Sequence, residues 1–294
     1  MPNAAPQAEV RVRPKRQARV FGAPWRTPAG RFSWLKTIAL ALCTAPAAYM
    51  LWERQTGHLG GRPTHELMLQ TGFWAIRFLL LGLAITPARA VFDWMRLAML
   101  RRMLGLAAAF YTFAHVVLYA ADEGYAIGFV LNQMFTVFYL ILGTIATIGL
   151  VALAATSTDA AMARLGRRWK ALHRLVYPIA ALSIWHFFLT QKIDVSAAMV
   201  PFGLFVWLML WRLAPPGFRR SLAGILVLAL GAVAITAGGE AGWYALNSGI
   251  DPWRVLDANL STARISPAAF VAADLALLAV LVAARRLQRH AAPG

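Results

Sequence analysis

Cysteine is nearly absent: Cys43 is the one thiol in 294 residues. A single thiol excludes an internal disulfide, a CxxC redox pair, a cysteine-held iron–sulfur cluster and c-type haem attachment. Any redox centre here is held by something other than sulfur. Charge is also scarce, at 14 % of residues against about 25 % in soluble domains. Carboxylates are scarcest, 12 against 29 Lys and Arg. What remains is apolar: 60 % hydrophobic residues and a mean hydropathy of +0.58. Disordered, collagenous, coiled-coil and disulfide-built secreted classes are excluded together. A polytopic membrane protein is left.

A bilayer core about 30 Å thick needs about 20 mostly apolar residues in a helix. Eight such runs are present, over 33–52, 72–90, 101–121, 134–156, 170–190, 197–213, 221–238 and 266–284. They are far longer than the roughly ten-residue alternating segments of a membrane barrel, and a helix satisfies its own backbone in lipid. The sequence therefore predicts an all-α polytopic membrane helix bundle. Pro215-Pro216-Gly217 is the strongest break in the second half. It separates a six-helix core (31–215) from an additional helix pair and tail (216–294). Residues 1–30, rich in Ala, Pro and Arg, read as a disordered basic tail lying on anionic lipid.

Charge sets the direction. With the N-terminus cytoplasmic, 23 of the 29 Lys and Arg fall on that side. Arg54, Arg62, Arg77, Lys192, Arg254 and Arg264 fall on the other, with most of the carboxylates. Both termini are predicted cytoplasmic. The net charge of +17 thus records topology. It follows the membrane boundaries rather than forming one patch, which argues against a nucleic-acid partner.

Of six histidines, His290 sits in the C-terminal tail, and His58 and His65 in the first outside loop. His115 and His186 lie inside apolar runs, FYTFAHVVLY and ALSIWHFFLT. Ionisable groups there are costly and face the bundle interior, so each is a functional-site hypothesis. The bland alternative is a neutral imidazole bonded to a neighbouring helix. His115 and His186 stand at similar distances from the starts of helices running in the same direction, so their depths agree within about a turn. Two imidazoles at one depth can supply the two axial nitrogens of a haem that carries electrons without binding oxygen. A bare metal ion wants more ligands than two histidines. His173 precedes His186 by 13 residues, about 20 Å along a helix, so the two cannot share one iron. Pro178, between them, is placed to bend and re-phase the helix. His173 is a candidate ligand for a second haem, but the matching depth on the third helix holds Arg101 and Arg102. A propionate, quinone or flavin contact is the other option for it.

At these residues the chain resembles a family. TGFWAIRFLLLGLAITPARA (71–90), LRRMLGLAAAFYTFAHVVLYAADEG (100–124) and ATSTDAAMARLGRRWKALHRLVYPIAALSIWHFFLTQK (155–192) are similar to the haem-binding membrane subunit of the periplasmic methionine sulfoxide reductase system, MsrQ. That family sits within the ferric-reductase-like transmembrane superfamily, and the likeness spans roughly 33–213. It implies a six-helix b-type cytochrome of the bacterial inner membrane, with one or two haems. Its implied partner is a periplasmic molybdopterin-containing reductase that repairs oxidised methionine. The implied electron source is the quinone pool or a cytosolic flavin reductase, with FMN as a further cofactor. The family's three functional histidines fall on His115, His173 and His186.

The chain departs from the family in three places. Leu69 and Gln70 stand where a His usually precedes the TG of the second helix, and the lead-in to the fourth helix reads LNQMFTVFYL. The family usually ends after the sixth helix, whereas this chain adds a helix pair with an outside loop at 239–264 containing Trp243, Tyr244 and Trp253.

Around the histidines, Arg77, at the outer end of the second helix, is a candidate for haem propionates. Arg101, Arg102, Arg168 and Lys170 are candidates for an anionic cofactor, and Trp185 and Phe187 for porphyrin contact. Asp274, in the middle of the last helix, is expected to be protonated or paired with a polar group such as Thr236. Two other functions compete. One is a stand-alone ferric-reductase-like reductase, but no Gly-rich nucleotide fingerprint of a fused flavin module follows the sixth helix. The other is a haem-free transporter or scaffold with structural histidines.

Overall fold

The structure is a computed structural model that describes residues 23–27, 29–261 and 265–291. Residues 1–22, Arg264 and the side chain of His290, on which parts of the tail and charge expectations rest, lie outside the described residues. Among the described residues the chain is helical throughout, with one isolated antiparallel bridge, Arg26 to Phe32. That bridge folds the chain from Ala23 onward back on itself, and Lys36 Nζ donates to the Arg26 carbonyl at 2.6 Å.

Among the described residues, eight segments are long and apolar enough to cross a membrane. The first is α1 (Trp34–Thr56), capped by the Ser33 hydroxyl, which accepts from the Lys36 amide. α2 (Pro63–Val91) has Pro63 in its first turn, where a missing N–H is harmless. It begins nine residues before the apolar run, because its first turn, Pro63 to Glu66, is polar yet helical. Arg77 is therefore near the middle of α2 and not at its outer end. A 3-10 turn, Met95–Leu100, leads into α3 (Arg101–Asp122).

The fourth apolar run is not one rod. α4 (Ile127–Thr136) and α5 (Phe138–Ala155) meet at Val137, which is extended at φ −87°, ψ 120°. The Thr144 hydroxyl lies within hydrogen-bonding distance of the Met134 carbonyl at 3.2 Å and of the Leu140 carbonyl at 2.8 Å, tying α4 back on α5. α6 (Asp159–Leu165), capped by Thr158, and α7 (Arg167–His173) follow on either side of Gly166. α8 (Val176–Thr190) continues from α7 through a tight step at Arg174 and Leu175. Pro178 explains the step. It has no N–H for the Arg174 carbonyl, which accepts from Tyr177 N at 3.1 Å instead.

α2 is the most buried span and packs against α3, α9 (Ser196–Leu213), α8 and α1. α5 packs on α8. Past the short α10 (Pro216–Arg220), α11 (Leu222–Ser248) and α13 (Pro267–Ala291) pack on each other and on α9. α11 runs ten residues beyond the predicted span. Glu240, Trp243 and Tyr244 are thus helical rather than in a loop, and α12 (Pro252–Leu260) takes up much of the rest. The expected Asp274–Thr236 pairing is absent. Thr236 is fully buried and donates to the Ala232 carbonyl at 2.7 Å, while Asp274 is exposed on α13. Its position follows from helical phase: Val271, Leu275 and Val282 take the packed face.

Candidate functional site

His115 on α3 and His186 on α8 meet inside the bundle. Their ring centroids are 6.5 Å apart and their planes cross at 80°. Each ring is held from behind. His115 Nδ1 lies 2.8 Å from the Met68 carbonyl of α2. His186 Nδ1 lies 2.7 Å from the Tyr139 carbonyl of α5. A carbonyl only accepts, so Nδ1 carries the proton and donates in both rings. Nε2 is then the lone-pair nitrogen in both. Metal–imidazole bonds of about 2.0–2.1 Å would set two such rings with centroids about 6 Å apart across one ion. The observed separation matches that requirement.

The donor set fits an iron already held in its equatorial plane. Among the described residues no group of three or more His, Cys, Asp or Glu side chains could hold a metal ion. Two imidazole nitrogens are what a metal already bound in a macrocycle would take from the protein. Phe187, next to His186, sets its ring edge-on to Phe73 of α2 at 5.8 Å. Arg77 lies over the rings of Phe73 and Trp74, 4.0 and 4.6 Å from their centroids. No carboxylate pairs with Arg77 among the described residues.

The structure does not bring His173 to this pair. It ends α7, stacked on Trp169 at 3.9 Å. Its Nδ1 is 3.2 Å from the Trp169 carbonyl, and its Nε2 is 3.4 Å from the Ser157 hydroxyl. Arg102 is engaged too, in an ion pair with Asp159, so it does not offer a free cation to an anionic cofactor. Arg101 donates to the Thr86 hydroxyl at 3.0 Å, while Arg168 and Lys170 are exposed. Trp185 faces away from the histidine pair. It packs edge-on against Trp243 of α11 at 6.2 Å, where α8, α9 and α11 surround an apolar cavity of about 450 Å³. His65 is not free in a loop. It sits in the first turn of α2, 2.9 Å from Asp122, which Arg62 also binds at 2.9 Å. His58 stacks on Trp52.

Four residues at the site were not singled out from the sequence. Met68 and Tyr139 act through backbone carbonyls, which carry no sequence signal. Gly72 and Gly143 lie against the two imidazoles. Their signal was a glycine in the middle of an apolar helix.

A membrane bundle with two imidazoles facing each other from separate spans is the architecture of a ferric-reductase-like transmembrane component. The family model of that description, "Ferric reductase like transmembrane component", matches residues 71–184, which contain His115 and His173 and stop two residues before His186. The chain is 38 % identical over 175 residues to the protein-methionine-sulfoxide reductase heme-binding subunit MsrQ of Caulobacter vibrioides, covering 82 % of that protein and 58 % of this one. The MsrQ proteins of Polaromonas naphthalenivorans (35 % over 193 residues, 88 % of that protein and 63 % of this one) and Rhodospirillum rubrum (39 % over 166 residues, 80 % and 56 %) are similar to it as well. No solved structure matches. The chain belongs to the MsrQ family, and it is a multi-pass protein of the bacterial inner membrane.

Proposed function

We propose that this chain is the haem-binding, electron-transferring membrane subunit of a methionine sulfoxide reductase system, with a b-type haem between His115 and His186. The observation that carries the reading is the imidazole pair at ligation distance, each ring fixed through Nδ1. The relatives' shared description as heme-binding subunits supports it. His115 and His186 are the residues that would hold the haem iron. The Met68 and Tyr139 carbonyls fix the tautomer that presents Nε2. Haem bound there would supply a one-electron couple suited to electron carriage. Arg77 would offer its guanidinium to a propionate, and Phe73 and Phe187, next in sequence to Gly72 and His186, add an apolar edge-on contact.

The positive-inside bias supports an Arg-rich cytoplasmic end, both termini included, and a periplasmic end near His65 and Asp122. Electrons enter from the quinone pool or a cytosolic flavin reductase. They leave to a periplasmic molybdopterin-containing catalytic subunit. His173, with Arg101, Arg168 and Lys170 at the same end, is the place for a second haem or for FMN. The six-helix core, 31–215, carries this chemistry, and 216–294 is an addition to it.

The test is a dithionite-reduced minus oxidised spectrum of the detergent-purified protein. A b-type Soret and α band, lost in His115→Ala and in His186→Ala, is expected. A colourless wild type from haem-sufficient cells would overturn the reading in favour of a haem-free transporter or scaffold.

A further inference from the structure

The two halves of the histidine site repeat one construction. On α2 the acceptor carbonyl is Met68 and the residue four positions on is Gly72. On α5 the acceptor is Tyr139 and the residue four positions on is Gly143. The spacing has a geometric reason. In an α-helix the carbonyl of residue i points along the axis at the N–H of residue i+4. Every Cα–Cβ bond tilts toward the N-terminus, so the Cβ of residue i+4 hangs over that carbonyl. A ring approaching the second lone pair meets this Cβ first. A Cβ on Gly72 would lie 2.9 Å from His115 Nδ1 and 3.0 Å from its Cε1. One on Gly143 would lie 3.0 Å from both Nδ1 and Cε1 of His186. Carbon contacts relax to about 3.5–4.0 Å, so an alanine would push either ring back by roughly half an ångström or more. Hydrogen bonds of 2.7 and 2.8 Å cannot take that displacement and stay well formed.

We infer that Gly72 and Gly143 are positioning residues for the axial ligands, each clearing a helical carbonyl so that the imidazole seats on it and crosses its partner at a near-perpendicular angle. The inference rests on the bis-histidine reading. Seating has an electronic result. The N–H···O=C bond makes the imidazole a stronger donor, which favours ferric iron and lowers the midpoint potential. Displacing either ring raises it.

The experiment compares Gly72→Ala and Gly143→Ala with Gly82→Ala, in the detergent-purified holoprotein. Gly82 is also on α2, but a Cβ there meets only Leu104 Cβ at 3.9 Å. Alanine is the better helix former at all three positions. The readouts are the low-spin EPR spectrum, the midpoint potential and the haem content per protein. Near-perpendicular rings in the wild type give a highly anisotropic low-spin signal. In Gly72→Ala and Gly143→Ala the expected result is a shifted g-max with a raised potential, or loss of haem, while Gly82→Ala matches the wild type. Unchanged spectra and potentials in both site variants would overturn the inference and leave the haem reading standing. A wild type without haem would sink that reading instead. Where an alanine variant does not insert, the wild-type EPR signal decides: the rhombic spectrum of coplanar imidazoles would overturn the inference.

Discussion

His186 and His173 stand 13 residues apart in one apolar span, Arg167–Thr190, yet their surroundings differ in kind. His186 is anchored to a carbonyl 47 residues away on another helix, and its ring lies 6.5 Å, centroid to centroid, from another imidazole. His173 is satisfied locally, by a carbonyl one turn back and by Ser157, with an indole covering one ring face. A histidine anchored at a distance through one nitrogen keeps the other for a ligand. A histidine whose two nitrogens are both engaged nearby must give up a contact before it can bind anything.

The largest effect that could break this comparison is loss of the chromophore. His115→Ala or His186→Ala is expected to abolish the b-type difference spectrum of the pair's haem. His173→Ala is expected to keep that spectrum, and any drop in haem per protein measures a second site. If His173→Ala alone removed all colour, the two histidines would have been ranked the wrong way round. A middle-sized effect concerns the clamp at the Arg-rich end. The Arg212 guanidinium bonds the Leu83 carbonyl of α2 at 2.7 Å and the Leu208 carbonyl at 2.6 Å, with Tyr177 OH at 3.3 Å. Arg212→Leu leaves the Leu83 carbonyl and Tyr177 without that donor and should cost about 1–3 kcal/mol, read as a lower thermal midpoint in detergent. The haem spectrum should be kept, since the clamp does not touch the pair. The smallest effect is at Tyr111, whose hydroxyl donates to the Cys43 carbonyl at 3.0 Å and accepts from Ala47 N at 2.9 Å. Tyr111→Phe should destabilise by about 0.5–1.5 kcal/mol, measured the same way and again without loss of colour.

The eight spans and the meeting of His115 with His186 inside the bundle were legible because the membrane makes both signals strong. A span needs a long apolar run, and a histidine inside one is costly enough to be noticed. Boundaries were less legible where a helix continues through polar residues. The first turns of α2 carry His65 and Glu66, and α11 runs on through Gly238, Gly239 and Glu240, so hydropathy stops before the backbone does. The break at Val137 has no proline to announce it. The step before Pro178 did, and the proline's missing N–H fixed where it fell. Trp185 shows a different limit. Adjacency to His186 in sequence suggested a porphyrin contact, but neighbours on a helix point about 100° apart, and Trp185 turns to α11. The carbonyls of Met68 and Tyr139 were invisible, because a backbone acceptor has no letter of its own.

Each imidazole is bonded within its own helix pair, His115 to α2 and His186 to α5. In the order of synthesis, the α2–α3 hairpin is complete before α5 and α8 have left the ribosome. Its half of the pocket needs nothing from the second half to be set. The same holds for α5 and α8 once they have inserted and packed. Membrane helices that insert first and associate afterwards would then bring together two halves whose ring anchors are each internal to one helix pair.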